Sequence, residues 1–265
     1  MKKTIKIAVL AIIWLAFPLG VLAVDYLAEV WLNGTRVGGP PGGAAGARPS
    51  DPFAPPPGKG PPPAEPELPD SVFVEDTAVV LPEVAVITRP GADSRKPETA
   101  SIAQALAPYR PLVRIEAPAM LDGGDVLVMG RAIFVGLSTR SDRQAITQLQ
   151  ERLGPFGYTV TGVPLHGCLH LKSAVTRVDE ETLLINDDRV DAGHFGAYWK
   201  IAVDAAEPDA TNCLPLRGRI VYAEAFPRTR RKLERHGCEV VTVALDELAK
   251  AEGAVTCCSL VFDYG

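Results

Sequence analysis

Two adjacent carboxylates, Glu75 and Asp76, sit inside the apolar run VFVEDTAVV, with Asp70 just ahead of them. Read as a strand over residues 72–81, the run puts Phe73, Glu75, Thr77 and Val79 on one face. Val72, Val74, Asp76, Ala78 and Val80 fall on the other. Both faces are apolar, which predicts burial on both sides. A buried carboxylate is costly unless a cation or hydrogen-bond donors meet it. The pair therefore points to a pocket for a cationic group. The plain alternative is an edge strand whose acids face water at the end of a sheet.

Other chemistry-bearing residues fall at predicted strand ends. Asp122-Gly123-Gly124-Asp125 reads as a sharp turn into a strand, where glycines let the backbone approach a ligand. Arg95 follows the first hairpin and Arg140 follows an apolar strand. His170 stands between Leu169 and Leu171 at a strand start, and Cys257 lies in the C-terminal strand VTCCSLVF. Singly, each has an ordinary structural reading. A histidine between leucines can be a satisfied core residue, and a strand cysteine a small hydrophobe. The glycines can serve a hairpin turn alone, and the arginines can be surface charges.

The elements that must position these residues repeat from residue 68 onward as strand, strand, helix, strand. The first unit has strands 72–81 and 84–88, a helix near 97–109 and a strand at 112–115. The second has strands 125–129 and 132–136, a helix 142–153 closed by Gly154, and a strand 158–163. The third has strands 169–177 and 182–186, a weak helix near 192–199 and a strand 201–203. The fourth has strands 213–216 and 220–223, a basic helix 229–236 and a strand 239–243. A helix 246–251 and a strand 254–262 end the chain as a partial fifth unit. Such repeats can close radially like a propeller.

Ahead of the repeats, Lys2, Lys3 and Lys6 precede an uncharged run, residues 7–24. Residues 1–32 read as a signal peptide or a membrane anchor, with membrane association through 7–24. Residues 33–67 are dominated by Gly, Pro and Ala and read as a disordered linker. The formal net charge of -5 argues against nucleic acid as a partner. The five cysteines, at 168, 213, 238, 257 and 258, show neither a disulfide framework nor zinc spacing, which suits a reducing compartment.

The strings LPDSVFVEDTAVV, ITRPGADSR, LDGGDVL, VGLSTR, LHLKS and VTCCSL, in this order, resemble the dimethylarginine dimethylaminohydrolase family. That family is part of the guanidino-group-modifying superfamily with arginine deiminases and amidinotransferases. The resemblance implies an α/β fold, a five-bladed propeller of ββαβ units, with the catalytic domain at 68–265. It implies a cytoplasmic cysteine hydrolase that converts a small-molecule substrate, methylated arginine, to citrulline and a methylamine, with no cofactor. Cys257 matches the nucleophile, His170 the general acid/base and Asp122 the carboxylate that orients it. Glu75 and Asp76 match the acids around the guanidinium. Arg95 and Arg140 match the arginines that hold the substrate α-carboxylate. Asp70 matches a further substrate-binding acid, and Phe73 an aromatic pocket wall. Glu252 stands where the family often has Asp, at a position that offers mainly its backbone carbonyl.

The family has a strand, a helix, a strand and a lid before the LPD motif, and residues 1–67 show none of these on reading. This predicts a first blade that is incomplete or missing, and a Cys257 strand exposed along one edge. Two other readings stand beside the methylarginine hydrolase. One is a deiminase-like hydrolase of another guanidino compound, and the other is an inactive, membrane-tethered binding protein on the same fold.

Overall fold

The computed structural model of the protein describes residues 6–11, 30–32, 35–38 and 67–264. Strands β1 (Lys6–Ala11), β2 (Val30–Leu32) and β3 (Thr35–Gly38) precede the repeats. The first unit holds β4 (Ala78–Val80), β5 (Ala85–Ile87), α1 (Thr99–Leu106) and β6 (Leu112–Arg114). The second holds β7 (Val126–Met129), β8 (Ala132–Leu137), α2 (Arg143–Leu153) and β9 (Thr159–Pro164). The third holds β10 (Val175–Arg177), β11 (Thr182–Ile185) and β12 (Trp199–Ala202). The fourth holds β13 (Cys213–Leu216), β14 (Arg219–Ala223), α3 (Pro227–Arg235) and β15 (Glu239–Val243). Helix α4 (Asp246–Ala249) and β16 (Ser259–Tyr264) close the chain.

Each unit pairs its first two strands antiparallel and its last two parallel. This is the ββαβ plan of an α/β propeller, as expected. The cores lie between neighbouring units. Val126 pairs its face with Val79 and Val86 of the first unit, whereas Leu127 and Met129 face Leu171, Val175 and Leu183 of the third. In the same way Ala78 packs with α1 and with Leu260 and Phe262 of β16, while Val79 turns to the second unit. Strand alternation thus feeds two cores at once, which is why these first strands are apolar on both faces.

Helix α2 shows how local signals set an element. The Asp142 side chain caps it by accepting from the Ala145 backbone at 2.8 Å. Ala145, Leu149 and Leu153, spaced four apart, form its buried stripe. Gly154 keeps a right-handed conformation and the chain runs on into a 3-10 turn. The left-handed stop is Gly157, with φ of 84°.

Several expectations are corrected. Residues 72–81 are not one strand. Two 3-10 turns, Pro69–Val72 and Val74–Thr77, precede the short β4. The Thr77 hydroxyl donates to the Val74 carbonyl at 2.7 Å and closes the second turn locally. The third unit has only a 3-10 turn, Ala192–Phe195, where a helix was expected. His170 does not start a strand. It precedes the 3-10 turn Leu171–Ser173, and β10 begins at Val175. Cys257 lies in a turn, since β16 begins only at Ser259.

The largest correction concerns the chain's start. β1 pairs antiparallel with β16, from Lys6 opposite Tyr264 to Ala11 opposite Ser259. The strand after Cys257 therefore has a partner, and its edge is not left open. Residues 7–11, IAVLA, suit a paired strand as well as an apolar span, and so short a run does not separate the two. β2, at the end of the segment read as a signal peptide or anchor, pairs antiparallel with β3, in the stretch read as a disordered linker. Among the described residues no helix is long and apolar enough to cross a membrane. The rest of the anchor and linker readings, within residues 12–29 and 39–66, lies outside the described residues.

Candidate active site

The turn Val74–Thr77 builds the acidic wall. A 3-10 turn has about three residues per turn, so neighbouring side chains stand about a third of a turn apart. Glu75 and Asp76 can then serve one site, which opposite faces of a strand would forbid. The Glu75 backbone N–H donates to the Cys257 carbonyl at 3.0 Å and ties the turn to the cysteine loop. The Thr88 hydroxyl holds the Asp76 carbonyl at 2.6 Å.

Both carboxylates are buried and met by donors. Glu75 Oε1 accepts from Lys172 Nζ at 2.6 Å, and Oε2 accepts from the Thr256 hydroxyl at 2.7 Å. Asp76 Oδ1 accepts from Gly124 N at 2.9 Å, and Oδ2 pairs with Arg95 Nη1 at 2.5 Å. The doubled glycine explains itself here. A Cβ on Gly123 would lie 1.9 Å from the Glu75 carbonyl oxygen. One on Gly124 would lie 2.7 Å from His170 Nδ1 and 2.8 Å from Asp76 Oδ1. Only glycine allows the acidic turn, the histidine and this backbone to meet.

Asp122 is fully buried. Its Oδ1 accepts from Gly91 N at 2.8 Å, and its Oδ2 stands 3.1 Å from His170 Nε2. The Asp76 Oδ1 atom lies 4.0 Å from the same nitrogen. Burial alone would push the His170 pKa down. The bond to Asp122 and the charges of Asp76, Asp125 and Asp122 outweigh it and hold the imidazole up at about 9. His170 is therefore an imidazolium at neutral pH. Nitrogen and oxygen donors of Asp76, Asp122 and His170 lie within 4.8 Å of one another, the one grouping that could hold a metal among the described residues. Each already carries a protein partner, and a bound cation would have to displace the His170 proton.

Cys257 is half-buried, and its sulfur accepts from Ala254 N at 3.4 Å. Burial, then the charges of Glu75 and Asp76, push its thiol well above the ordinary range, with the Ala254 N–H opposing. Cys258 is buried, and the same burial and acids push it up to about 12. The two cysteines differ in exposure because a turn, not strand alternation, separates their directions.

Arg95 lies beneath the acids. It is buried, with Nε and Nη2 on Glu98, Nη1 on Asp76, and Nη2 also on the Asp70 and Phe73 carbonyls. Its contacts fix Asp76 and the turn around Phe73. Burial works against its charge, but Glu98 and Asp76 raise its pKa regardless. Burial raises the Glu98 pKa, with Arg95 opposing. We expect Arg95→Ala to leave two buried acids uncompensated and to lower stability by about 3–5 kcal/mol. Urea unfolding checks this, and a loss below about 1 kcal/mol would show that the pairs carry little weight. Arg140 is different. It is half-buried, no side-chain partner is found among the described residues, and its Cα sits 2.7 Å from where a Gly91 Cβ would be. Arg140→Ala is expected mainly to raise KM.

Phe73 is half-buried against Gly253, where an added Cβ would approach its ring to 2.6 Å. Glu252 is exposed with φ of 58°, and this left-handed residue turns the chain out of α4 toward Gly253. Asp70 is exposed, and its carbonyl receives Arg95. The structure thus gathers Glu75, Asp76, Asp122, His170 and Cys257 into one cluster, with Phe73 and Asp70 on the same segment. Sequence reasoning missed Lys172, Thr256, Glu98 and Asp125. Lys172 lies two residues after His170, and Thr256 directly precedes Cys257, so nearness to motif residues was the available signal. Behind the Glu75–Lys172 pair a cavity of about 700 Å³ runs past the first strands of all the units.

A family model described as Arginine deiminase matches residues 65–201. The N(G),N(G)-dimethylarginine dimethylaminohydrolase of Streptomyces coelicolor is 39% identical over 73% of this chain and 75% of its own. That of Pseudomonas aeruginosa is 34% identical over 76% of this chain and 80% of its own. A solved structure of the Pseudomonas aeruginosa protein, a cysteine-to-serine mutant complexed with citrulline, superposes with a TM-score of 0.73 over 76% of this chain and 79% of that one. With the ββαβ repeats and the acid, histidine and cysteine cluster, these matches place the chain in the dimethylarginine dimethylaminohydrolase family of the arginine deiminase superfamily.

Proposed function

We propose that the protein hydrolyses Nω-methylated arginines to citrulline and a methylamine through a covalent Cys257 intermediate. The observation that carries this is the pair of buried acids, Glu75 and Asp76, beside the half-buried sulfur of Cys257. A guanidinium carbon is a weak electrophile because its charge is delocalised. The acids, whose charges act on the Cys257 sulfur, can hold a guanidinium's positive charge in place there.

Burial, with the charges of the same acids, keeps Cys257 as a thiol before substrate binds. A bound guanidinium offsets their charge and favours the thiolate, the thiol proton passing to solvent, and the thiolate attacks the guanidinium carbon. His170, already protonated, gives its proton to the departing amine as the carbon–nitrogen bond breaks. A thiouronium remains on Cys257. Neutral His170 then takes a proton from water, the oxygen adds to the same carbon, and the carbon–sulfur bond breaks to release citrulline. Asp122 holds the imidazole toward the site throughout and stabilises its charge. Arg140, whose guanidinium has no side-chain partner among the described residues, is the side chain that can receive the α-carboxylate. The substrate class is supported by the names of the relatives and by the citrulline complex.

The test is product analysis with asymmetric dimethylarginine, monomethylarginine and arginine. Citrulline with dimethylamine from the first is expected. Ammonia from arginine, with the methylated substrates inert, would replace this reading with a deiminase. No citrulline from any of the three would overturn hydrolysis altogether.

A further inference from the structure

We propose that Asp125 is a positioning residue that fixes, through three hydrogen bonds, the backbone at Asp122, His170 and Arg140 together. This rests on the hydrolase reading and deepens it. Asp125 is fully buried at the end of the turn Gly123–Asp125. Its Oδ1 accepts from the backbone N–H of Leu171, the residue after His170, at 2.9 Å. Its Oδ2 accepts from the hydroxyls of Ser138 at 2.6 Å and Ser141 at 2.7 Å.

What those hydroxyls receive gives the arrangement its reach. Ser141 Oγ accepts from the Asp122 backbone N–H at 3.0 Å, and Ser138 Oγ accepts from the Arg140 N–H at 2.9 Å. Each serine therefore takes one backbone proton and has its own to give to Asp125. Three chains converge on one carboxylate: Asp122 through Ser141, Arg140 through Ser138, and the residue next to His170 directly. Chains of this kind strengthen one another inside a protein. Gly136 of β8 makes the room, since a Cβ there would lie 2.5 Å from Asp125 Oδ1.

No cation pairs with Asp125 among the described residues, and burial pushes its pKa up. A turn needs no buried charge for its own geometry, and such a charge is costly. Its use is to hold the catalytic pair and the substrate arginine in one frame. The charged groups facing His170 are Asp76 and Asp122, with Asp125 behind them, and all three favour its proton.

Asp125→Asn keeps the shape and removes the charge. The His170 ring can be followed by proton NMR among the four histidines, assigned with His170→Gln. The His170 midpoint is expected to move down from about 9, and kcat/KM to fall about 100-fold. An unchanged midpoint with kcat/KM within about twofold of wild type would overturn the proposal. If Asp125→Asn does not fold, the single-arm variants decide. Ser141→Ala, which frees Asp122, should act mainly on kcat. Ser138→Ala, which frees Arg140, should act mainly on KM. Equal effects on both constants, or none, overturn the assignment. The titration needs no substrate, so a wild-type protein that forms no citrulline sinks the activity reading while the midpoint still judges Asp125.

Discussion

Replacing Cys257 by serine is expected to abolish citrulline formation, with kcat down by at least about 10⁴-fold, while Cys258→Ser stays within about tenfold of wild type. Only Cys257 combines partial exposure with a position beside both acids, whereas Cys258 is packed inside. A serine hydroxyl at Cys257 is far harder to deprotonate, and nothing in the site compensates. The same variant should remove a thiolate absorbance whose midpoint lies above that of ordinary cysteine, because burial and the charges of Glu75 and Asp76 disfavour the anion. That midpoint should fall when a guanidinium occupies the site. Equal losses in two folded cysteine variants, or an ordinary midpoint, would remove Cys257 from the nucleophile's role.

The second large effect is expected at His170. His170→Gln should lower kcat by about 10²–10⁴-fold, with a smaller change in KM, as the side chain moves protons and does not bind the α-carboxylate. The pH behaviour follows from the raised pKa. The wild-type imidazolium persists up to about 9, so the acid needed for amine departure is present at neutral pH and lost above that value. The same shift bears on stability. The stabilisation that the charged His170 supplies is full below its unfolded value of 6.5 and disappears as pH rises through about 9. Asp122→Asn, which removes the first support of that charge, should therefore lower the melting temperature most just below pH 6.5 and least above about 9. Melts showing the opposite trend would mean that His170 is neutral in the folded protein.

The start of the chain shows where apolar patterning runs out. Residues 7–24 carry no charge, and the reading as an anchor or signal rests on that run and on the lysines ahead of it. Whether such residues enter a bilayer or pair with a distant strand depends on an available edge. The edge of β16 lies about 250 residues away in sequence, and its pairing with β1 is long-range. Hydrophobic runs state a need for burial, and tertiary structure decides what meets it.

Local patterning showed the ββαβ repeat, with helices read over residues 142–153 and 229–236, and the family resemblance carried by the motifs implied that Cys257, His170, Asp122, Glu75 and Asp76 share one site. Periodicity, capping and motif order are local properties, so they survive without coordinates. Tertiary structure alone decided how the acids act. The strand expected over residues 72–81 became 3-10 turns because the Arg95 and Glu98 network, the Cys257 carbonyl and the Gly123–Gly124 backbone all converge on them. It also turned Arg95 toward Asp76 and Glu98, and gave Lys172, Thr256 and Asp125 their places. Those partners come from four different segments of the chain. A buried charge takes whatever donor the fold brings within hydrogen-bond reach, and sequence distance carries no record of that choice.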